Sequence, residues 1–430
     1  MSWTVPPPLS AQRAQEIASG FDLRALPRDF LDNPYPVYAV LREQSPVLAL
    51  PDGSYWLSRH ADVVAVYKDA VHFCSDKQRE FGPKYGKGTP LHQHHTSSLV
   101  FNDPPLHTRV RSIIMGALTR RAIGDMEAGL ITLVDGLLDT LQANHGGDLV
   151  EDFAASIPVE IIGNLLGIPH ADRGPLRGWS LAILGALEPT LSDAQMRLGH
   201  DSVSAFCTYL KDLVAERTRH PGDPERDVLT RLIQARGVSG QVAPLSESEL
   251  LQNCIFLLNA GHETTTNLIA NALLALVEHP DARDPFTRAL LATAPGSEAE
   301  AGLLNPAVDE FLRLEPSNQL SNRRAVVDTQ IAGVAIPANS NLHLCIGAAN
   351  RDPDVFIDPH RMDLGRTPNK HLAFGFGIHQ CAGLSLARLE GRIAIGRFLR
   401  RFPQYALTAS PVRSGRMRFR GFLSAPFSAG

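Results

Sequence analysis

The stretch from Ser246 to His279 is the feature that most limits what this chain can fold into. Ser246 and Glu249 form a capping box at its start, and Pro280 ends it. Apolar side chains recur between these ends at spacings of three and four residues, which predicts one long helix. At 1.5 Å per residue this helix is roughly 50 Å long, so it crosses a whole domain.

Inside this helix, the run Asn259–Thr266 (N-A-G-H-E-T-T-T) breaks the preferences of a buried helix. Gly261 and three successive threonines all lower helix propensity, and such departures often mark functional positions. Ala260 and Gly261 leave room for a flat ligand or a water, and the Thr264 hydroxyl can bond back to a carbonyl and open a kink. Glu263 and Thr264 then form an acid–alcohol pair suited to proton transfer. A kinked, polar-faced helix at a domain seam is the alternative.

A second unusual segment, Phe374–Gly383, reads F-G-F-G-I-H-Q-C-A-G and passes directly into a predicted helix. Gly375, Gly377 and Gly383 allow tight turns and free backbone N–H groups to point at the sulfur of Cys381. The positive N-terminal end of the helix is expected to lower the pKa of this thiol. A single thiolate of this kind can be the axial ligand of a haem iron. A buried, inert cysteine on a glycine-rich turn is the alternative for this segment alone.

Two further pairs of charged residues are weaker signals. Glu310 and Arg313 lie three positions apart on a predicted helix that Pro316 closes, so their side chains share a face and can pair. His107 and Arg111, four positions apart, can both reach one anion. Taken alone, each pair is more simply explained by a solvent-exposed helix face, where ion pairs contribute little to stability.

The bulk properties limit the class of protein. A chain of 430 residues with 44% hydrophobic content can bury a core in one large domain or two ordinary ones. A net charge of -4 argues against nucleic acid as the main partner. Five cysteines without a C-x-x-C pair argue against zinc ribbons, iron–sulfur clusters and a disulfide framework, and favour a reducing cytoplasm. We find neither a signal sequence at Met1–Pro8 nor an apolar run of membrane-spanning length, so a soluble protein is expected.

Helical spacing dominates the chain, and strand-like runs are short. The predicted helices are Ala122–Asn144, Leu210–Thr218, Leu250–Glu278 and Ala387–Phe402. The predicted strands are Val47–Leu50, Ser54–Leu57, Gln330–Ile336 and Leu342–Cys345. The proline-rich start indicates a loose arm over residues 1–20. The expected fold class is therefore mainly α with small β-sheets (α+β).

In combination these segments resemble the cytochrome P-450 superfamily of haem-thiolate monooxygenases, in its soluble bacterial type. The matching elements keep the family's order and approximate spacing over nearly the whole chain. They are His107-x-x-x-Arg111, Ala260-Gly261-x-Glu263-Thr264, Glu310-x-x-Arg313, Asn350-Arg351-Asp352-Pro353, Pro359-His360-Arg361, Asn369-Lys370-His371-Leu372-Ala373 and the Phe374–Gly383 loop. The resemblance implies one cytochrome P-450 domain over residues 1–430, with the long central helix lying over haem b (iron protoporphyrin IX). Glu263 departs from the family's commoner Asp, which is expected to alter the proton relay without abolishing it.

The resemblance also implies roles for single residues. Cys381 is the expected ligand of the haem iron, and Glu263 with Thr264 is the expected catalytic pair that passes protons during oxygen activation. The residues expected at the two haem propionates are His107, Arg111, Arg323 and His379. The other expected cofactor-binding residues are Ala260, Phe374, Gly375 and Gly383. The expected structural group on the proximal side of the haem is Glu310, Arg313 and Arg361.

The implied reaction inserts one atom of O2 into a small hydrophobic substrate, by hydroxylation or O-demethylation. The implied substrate-binding residues are Phe256, Asn259, Gln319, Leu320, Ser321 and Phe422. This mixed set is typical of an apolar pocket that orients one polar end. We therefore expect a compact aromatic or terpenoid substrate, with aromatic carboxylic acids among the candidates. A fatty-acid or macrocycle hydroxylase of the same family, a peroxide-driven enzyme, and a haem sensor or binding protein are the alternatives.

The segment between the predicted strand Ser54–Leu57 and His107 carries further polar residues. Lys77 or Arg79 could pair with a substrate carboxylate. His92, His94 and His95 form a dense cluster, for which a mobile, solvated loop is the expected setting. No metal beyond the haem iron is expected there, because no carboxylate or cysteine lies at ligand spacing.

Electrons are expected to come from outside the chain, because it has no flavin motif and no iron–sulfur cysteine set. The resemblance implies a small ferredoxin and a ferredoxin reductase that uses NAD(P)H. Its expected docking patch includes Arg109, Arg120, Arg121, Lys370 and Arg388. A cytoplasmic monomer with neither nucleic-acid nor membrane partners is expected.

Overall fold

The computed structural model describes residues 10–224, 227–234 and 245–430. Helices make up most of it. In chain order they are α1 (Ala11–Gly20), α2 (Arg28–Asp32), α3 (Tyr35–Gln44), α4 (His60–Lys68), α5 (Gln78–Tyr85), α6 (Pro90–Ser97), α7 (Leu106–Ala117), α8 (Arg120–Ala143), α9 (Ser156–Leu165), α10 (Leu176–Gly185), α11 (Asp193–Arg219), α12 (Val228–Gln234), α13 (Glu247–Glu278), α14 (Pro280–Leu291), α15 (Glu298–Leu314), α16 (Ile346–Ala349) and α17 (Leu384–Arg401). Short 3-10 turns lie at Leu99–Phe101, His170–Asp172 and Gly377–His379, and a π-helical turn at Leu149–Ala154.

The strands are short and form small sheets at the edge of the helices. They are β1 (Val47–Ala49), β2 (Tyr55–Leu57), β3 (Phe73–Cys74), β4 (Gly146–Asp148), β5 (Leu320–Ala325), β6 (Thr329–Ile331), β7 (Val334–Ile336), β8 (Asn341–Cys345), β9 (Ala406–Leu407), β10 (Val412–Arg413), β11 (Phe422–Ser424) and β12 (Pro426–Ser428). The largest sheet has the order β1-β2-β8-β5-β3, and within it β2 and β8 run parallel while the other neighbours are antiparallel.

α13 is the centre of the helical part. Its capping box is complete, since the Glu249 N–H donates to Ser246 Oγ (3.2 Å) and the Ser246 N–H donates to Glu249 Oε2 (2.8 Å). The helix packs against α6, α9, α10, α11, α15 and α17. Most of its side chains are buried, as expected for a helix that is enclosed on nearly every face.

The apolar core is divided in two. The larger cluster joins the central helix to α8, α9, α10 and α17, and the smaller one lies beneath the five-stranded sheet. None of the helices in the described ranges is both long and apolar enough to cross a bilayer. All five cysteines are free.

The expected fold class is confirmed, and each predicted helix falls within or beside an observed one. The predicted strand Gln330–Ile336 is instead the hairpin β6–β7, because residues 332 and 333 turn the chain at positive φ. Of the predicted loose arm, residues 1–9 lie outside the described residues. Ala11–Gly20 forms α1, which packs against α3, so this half of the arm is not loose.

Candidate active site

A large cavity lies between α13, α17, β5 and the loop that carries Cys381. Most of α13 is buried, but Ala260 is exposed and Thr264 half-buried because both line this cavity. Leu268 of α13 and Leu386 of α17 add to its apolar wall. The small Ala260 side chain therefore leaves space beside the helix, as predicted. Gly261 instead admits Ile162 of α9, because a Cβ at position 261 would lie 2.6 Å from Ile162 Cδ1.

The loop around Cys381 is held by backbone contacts. The Cys381 N–H donates to the Phe374 carbonyl (2.8 Å), and α17 begins three residues later at Leu384. Gly377 has φ +71°, and a Cβ there would lie 2.4 Å from the Tyr67 carbonyl oxygen, so only glycine fits. Gly383 lies in the turn before α17, as expected, but its φ of −92° is one that any residue adopts, so the turn does not itself require glycine there.

Cys381 lines the cavity as a thiol whose ionisation is opposed by its surroundings. Burial raises the pKa of this thiol, while the Gly383 N–H and the charges of Arg111 and Arg388 offset part of the rise. The start of the helix therefore acts in the expected direction, but burial outweighs it, and the pKa of the thiol by itself lies above its ordinary value. A coordinated metal cation deprotonates such a thiol outright.

Basic side chains gather at one edge of the cavity. Arg111, Arg323 and His379 line it, and the His107 ring packs on the His379 ring with centroids 4.2 Å apart. Burial, with repulsion by His379 and Arg111, lowers the pKa of His107 to about 4. The nearest carboxylate of this group is Asp103, which lies 3.8 Å from His379 Nε2, too far for a hydrogen bond.

These residues fit haem b. Both ring nitrogens of His107 and Nε2 of His379 are buried without hydrogen-bond partners in the described part of the chain. Uncompensated donors and cations at a cavity edge suit two carboxylates such as the haem propionates. The apolar walls beside Ala260 suit the flat macrocycle, and Cys381 offers the axial sulfur. Phe374, Gly375 and Gly383 line the same cavity.

The acid and the alcohol on α13 are adjacent in sequence, but their side chains do not meet. The Thr264 hydroxyl lines the cavity and donates back to the Ala260 carbonyl (2.7 Å), the bond that its position predicted. Glu263 is buried away from the cavity wall, where Oε1 accepts from Arg416 (2.7 Å) and Oε2 has no partner among the described residues. Burial raises the pKa of Glu263 to about 7 despite Arg416.

The histidine cluster does not lie in a solvated loop, and that expectation is wrong. His94 and His95 lie on α6, are only 2% and 1% exposed, and line the cavity. Asn259 Nδ2 contacts His94 Nε2 (3.3 Å), and His94 Nδ1 contacts Gln252 Oε1 (3.0 Å). Burial lowers the pKa of His94 to about 4, so this chain of contacts is uncharged at neutral pH. No group of three or more metal-ligating side chains occurs in the described ranges.

Of the two candidate carboxylate-binding cations, only Lys77 enters the cavity. It is 2% exposed, and its Nζ donates to Glu80 Oε2 (2.6 Å), so its charge is already compensated. Arg79 is exposed outside the cavity and donates to Asn339 Oδ1 (2.6 Å).

The other predicted substrate-binding residues divide into two groups. Phe256, Leu320 and Ser321 line the cavity. Gln319 does not, because its amide donates to the Pro316 carbonyl (2.8 Å) and faces Tyr35. Phe422 does not either, since it packs beneath the Arg413 guanidinium, 4.0 Å from the ring centre.

Arg418 and Phe419 are among the residues of the wall that sequence reasoning missed. They precede the predicted Phe422 by three to four positions. An isolated bridge between Asn318 and Phe419 brings this turn beside the start of β5. No local sequence signal marks that bridge, because its two sides are about a hundred residues apart.

Glu310 and Arg313 form a buried pair, not an exposed one. Both are 0% exposed, and Arg313 Nε and Nη2 donate to the two Glu310 oxygens at 2.7 and 2.8 Å. The expected third member, Arg361, contributes only its carbonyl, which accepts from Arg313 (3.2 Å), while its side chain is exposed. Arg366 takes its place, with Nε 3.1 Å from Glu310 Oε2.

Comparisons with known proteins agree with this geometry. The family model described as cytochrome P-450 matches residues 186–419. The vitamin D(3) 25-hydroxylase of Pseudonocardia autotrophica is 38% identical over 88% of each chain. The biotin biosynthesis cytochrome P-450 of Bacillus subtilis (strain 168) is 34% identical over 88% of this chain and 91% of its own. The crystal structure of P450BioI in complex with hexadec-9Z-enoic acid ligated acyl carrier protein is similar with a TM-score of 0.85 and 32% identity, covering 94% of this chain and 100% of that one.

Proposed function

This chain belongs to the cytochrome P-450 family of haem b monooxygenases, and from that premise we propose that it inserts one atom of O2 into a compact hydrophobic substrate with one polar end. The observation that carries the proposal is one cavity lined by Cys381, by the Thr264 hydroxyl and, at one edge, by two arginines beside histidine nitrogens that have no partner in the described residues. The reaction is a hydroxylation or an O-demethylation. The residue roles below are part of the same proposal.

Cys381 holds the haem iron, and Arg111, Arg323, His379 and His107 hold the two propionates. When bound, the haem supplies the iron at which O2 is reduced, and a thiolate ligand favours O–O cleavage over reversible O2 binding. The chain's own contribution is to orient the group. The cations fix its carboxylates at one edge, and the wall of α13 limits which side a substrate can occupy.

Thr264 and Glu263 handle protons. Since the Thr264 hydroxyl already donates to the Ala260 carbonyl, its oxygen lone pairs are available to a donor in the cavity. Glu263, with a pKa of about 7, can both take up and release a proton near neutral pH. Arg416 holds it away from the cavity wall, so a water or a side-chain rotation must connect Glu263 to Thr264.

We expect Thr264→Ala to uncouple the reaction. NAD(P)H consumption continues, but the fraction that yields product falls roughly tenfold or more because the hydroxyl that positions the proton relay is lost. The measurement is the ratio of product and hydrogen peroxide to NAD(P)H consumed. Thr266→Ala is the matched control, since Thr266 lies on the same helix outside the cavity, and its hydroxyl donates to the His262 carbonyl (3.0 Å). An unchanged peroxide yield in Thr264→Ala contradicts the assignment.

The substrate is proposed to be a compact aromatic or terpenoid compound. A cavity with apolar walls and a few polar groups, such as Asn259 and His94, supports a molecule with one polar end. The names of the relatives point to diverse substrates, since one hydroxylates vitamin D(3) and another serves biotin biosynthesis. A fatty-acid or macrocycle hydroxylase is therefore the second candidate.

A binding and turnover panel tests the proposed function. Purified haem-loaded protein is titrated with substituted benzoates, monoterpenoids and long-chain fatty acids, and the shift from low to high spin is recorded. Compounds that shift the spectrum are then turned over under labelled O2, and products are examined for one labelled oxygen. We expect the compact compounds to bind and to gain the label. Binding of the long-chain acids alone reverses the choice of substrate, and label-free products overturn the proposal.

We propose that electrons come from a ferredoxin and its NAD(P)H-dependent reductase, and that the protein is a cytoplasmic monomer. Of the proposed docking cations, Arg120, Arg121 and Lys370 are exposed. Arg109 pairs with Glu249, and Arg388 with Asp309, so both contribute less positive potential than expected. The free thiols suit a reducing compartment.

A further inference from the structure

The cavity wall carries a charged side chain that the proposed chemistry does not use. Arg418 lies in the turn between β10 and β11, next to Phe419, and its side chain lines the cavity. It is separate from the haem-binding cations, which come from α7, β5 and the cysteine loop. Arg111 and Arg323 already provide one positive charge for each of the two propionates of a haem, so Arg418 is not needed there.

The Arg418 guanidinium is held in place by two hydrogen bonds, and its other N–H donors remain available. Nη1 donates to the Leu320 carbonyl (2.8 Å) and Nη2 donates to Asn322 Oδ1 (2.7 Å). A guanidinium has five N–H donors, so these two bonds leave donors over on both terminal nitrogens. Its backbone is fixed too, because Glu188 accepts from the N–H groups of Met417 (3.0 Å) and Arg418 (3.2 Å). The donors are thus held in place before any ligand arrives.

The charge of Arg418 has no direct counter-ion. No carboxylate forms a salt bridge with it in the part of the chain that the structure describes. Nearby, Lys77 is neutralised by Glu80. Glu188 attracts Arg418 electrostatically, but its oxygens accept from backbone N–H groups and form no salt bridge with the guanidinium in the described residues. The histidines around this wall are uncharged at neutral pH because burial lowers the pKa of each one: His94, His95 and His343. The Arg418 guanidinium therefore lies beside the substrate space without a carboxylate in direct contact, and a desolvated cation of this kind favours an anionic partner.

We propose that Arg418 binds the carboxylate of the substrate, so that the enzyme takes monocarboxylic acids with a compact hydrophobic body. This inference rests on the proposed function, since it assigns the polar end of that substrate. Arg418 thus takes the carboxylate-binding role that the sequence suggested for Lys77 or Arg79. Lys77 already has a counter-ion, and Arg79 lies outside the cavity.

The test compares acids with their primary amides, which match them in shape but carry no charge. Haem-loaded protein is titrated at pH 7.5 with substituted benzoic acids, cyclic terpenoid acids and C8–C16 fatty acids, each beside its amide, and Kd is taken from the spin shift and from calorimetry. We expect the acids to bind roughly 10- to 100-fold more tightly, as a charge-assisted contact requires. In Arg418→Met this preference falls to within about threefold, while Arg418→Lys, which keeps the charge, retains part of it.

Arg79→Gln is the matched control, because it removes a nearby arginine that does not reach the cavity, and its preference for acids is expected to equal that of the parent protein. Equal binding of acids and amides by the parent protein overturns the inference, as does a preference that persists in Arg418→Met. If the only role of Arg418 were to hold the turn against β5, both Arg418 variants would unfold at a lower temperature. The ratio of the Kd values for acid and amide would then stay unchanged. Turnover of uncharged terpenoids with equal acid and amide binding would overturn this inference alone and leave the monooxygenase function standing.

Discussion

Replacing Cys381 by Ser is expected to remove the thiolate spectrum and nearly all monooxygenase activity. The sulfur is the only thiol on the cavity wall among the described residues, and the N–H groups that hold its loop cannot supply another axial ligand of equal strength. Removing a hydrogen-bond partner of a metal ligand typically lowers metal affinity or activity by about 10- to 100-fold. Removing the ligand itself is therefore expected to lower product formation by roughly 100-fold or more. The direct measurement is the position of the Soret band of the reduced, CO-bound protein.

A control is needed because a changed spectrum could also follow from misfolding. Cys345→Ser alters another buried thiol, one outside the cavity that caps α16 by accepting from the Ala348 N–H (3.4 Å). Serine is a good residue at such a cap, so this variant is expected to keep both the spectrum and the activity. Cys381→His adds a second comparison, since a nitrogen ligand retains haem but moves the band. If the band of Cys381→Ser stays where it was, Cys381 is not the ligand.

The sequence was most informative where structure depends on neighbouring residues. The cap at Ser246 and the apolar spacing after it are local features, and α13 follows them from Glu247 to Glu278. The bond from Thr264 back to Ala260 is equally local, because it joins residues one helical turn apart. The Cys381 loop was found in the same way, from glycines and a cysteine within ten residues.

The errors occur where two distant segments meet. Nothing within α6 indicates that His94 and His95 are covered, since the covering residues belong to α13, about 160 positions later. Likewise, the partner of Glu263 is Arg416, and the turn that reaches the cavity contributes Arg418 instead of Phe422. In each case the sequence indicates the correct region of the chain but not the residue that the side chain contacts. Such contacts are set by how elements pack, which residue spacing does not encode.

Arg313→Gln is expected to be the most damaging change away from the cavity. Besides Arg313, three donors bind the Glu310 carboxylate. They are the Asp363 N–H (2.9 Å), Asn369 Nδ2 (3.1 Å) and Arg366 Nε, which contacts both oxygens (3.1 and 3.3 Å). Arg313 in turn donates to the carbonyls of Asn350 (3.0 Å) and Pro359 (2.7 Å). Removing the guanidinium leaves a fully buried carboxylate without its main counter-ion, which costs about 3–5 kcal/mol.

The same network holds the segment that leads to the thiol, so haem retention should fall with stability. Asn350, whose carbonyl Arg313 binds, accepts the Leu372 N–H on its side chain (2.7 Å), and Leu372 accepts the Gly375 N–H (2.8 Å) at the start of the Cys381 loop. We therefore expect Arg313→Gln to lower the free energy of unfolding by about 3–5 kcal/mol. This is a large part of the total of about 5–15 kcal/mol for a typical domain. The purified variant is therefore expected to be mostly haem-free. Arg361→Gln is the control, because only the carbonyl of that residue contacts Arg313, and a change within about 0.5 kcal/mol is expected. Denaturant unfolding and haem content of the purified proteins measure both effects, and equal stability of the two variants would show that the pair does not support the loop.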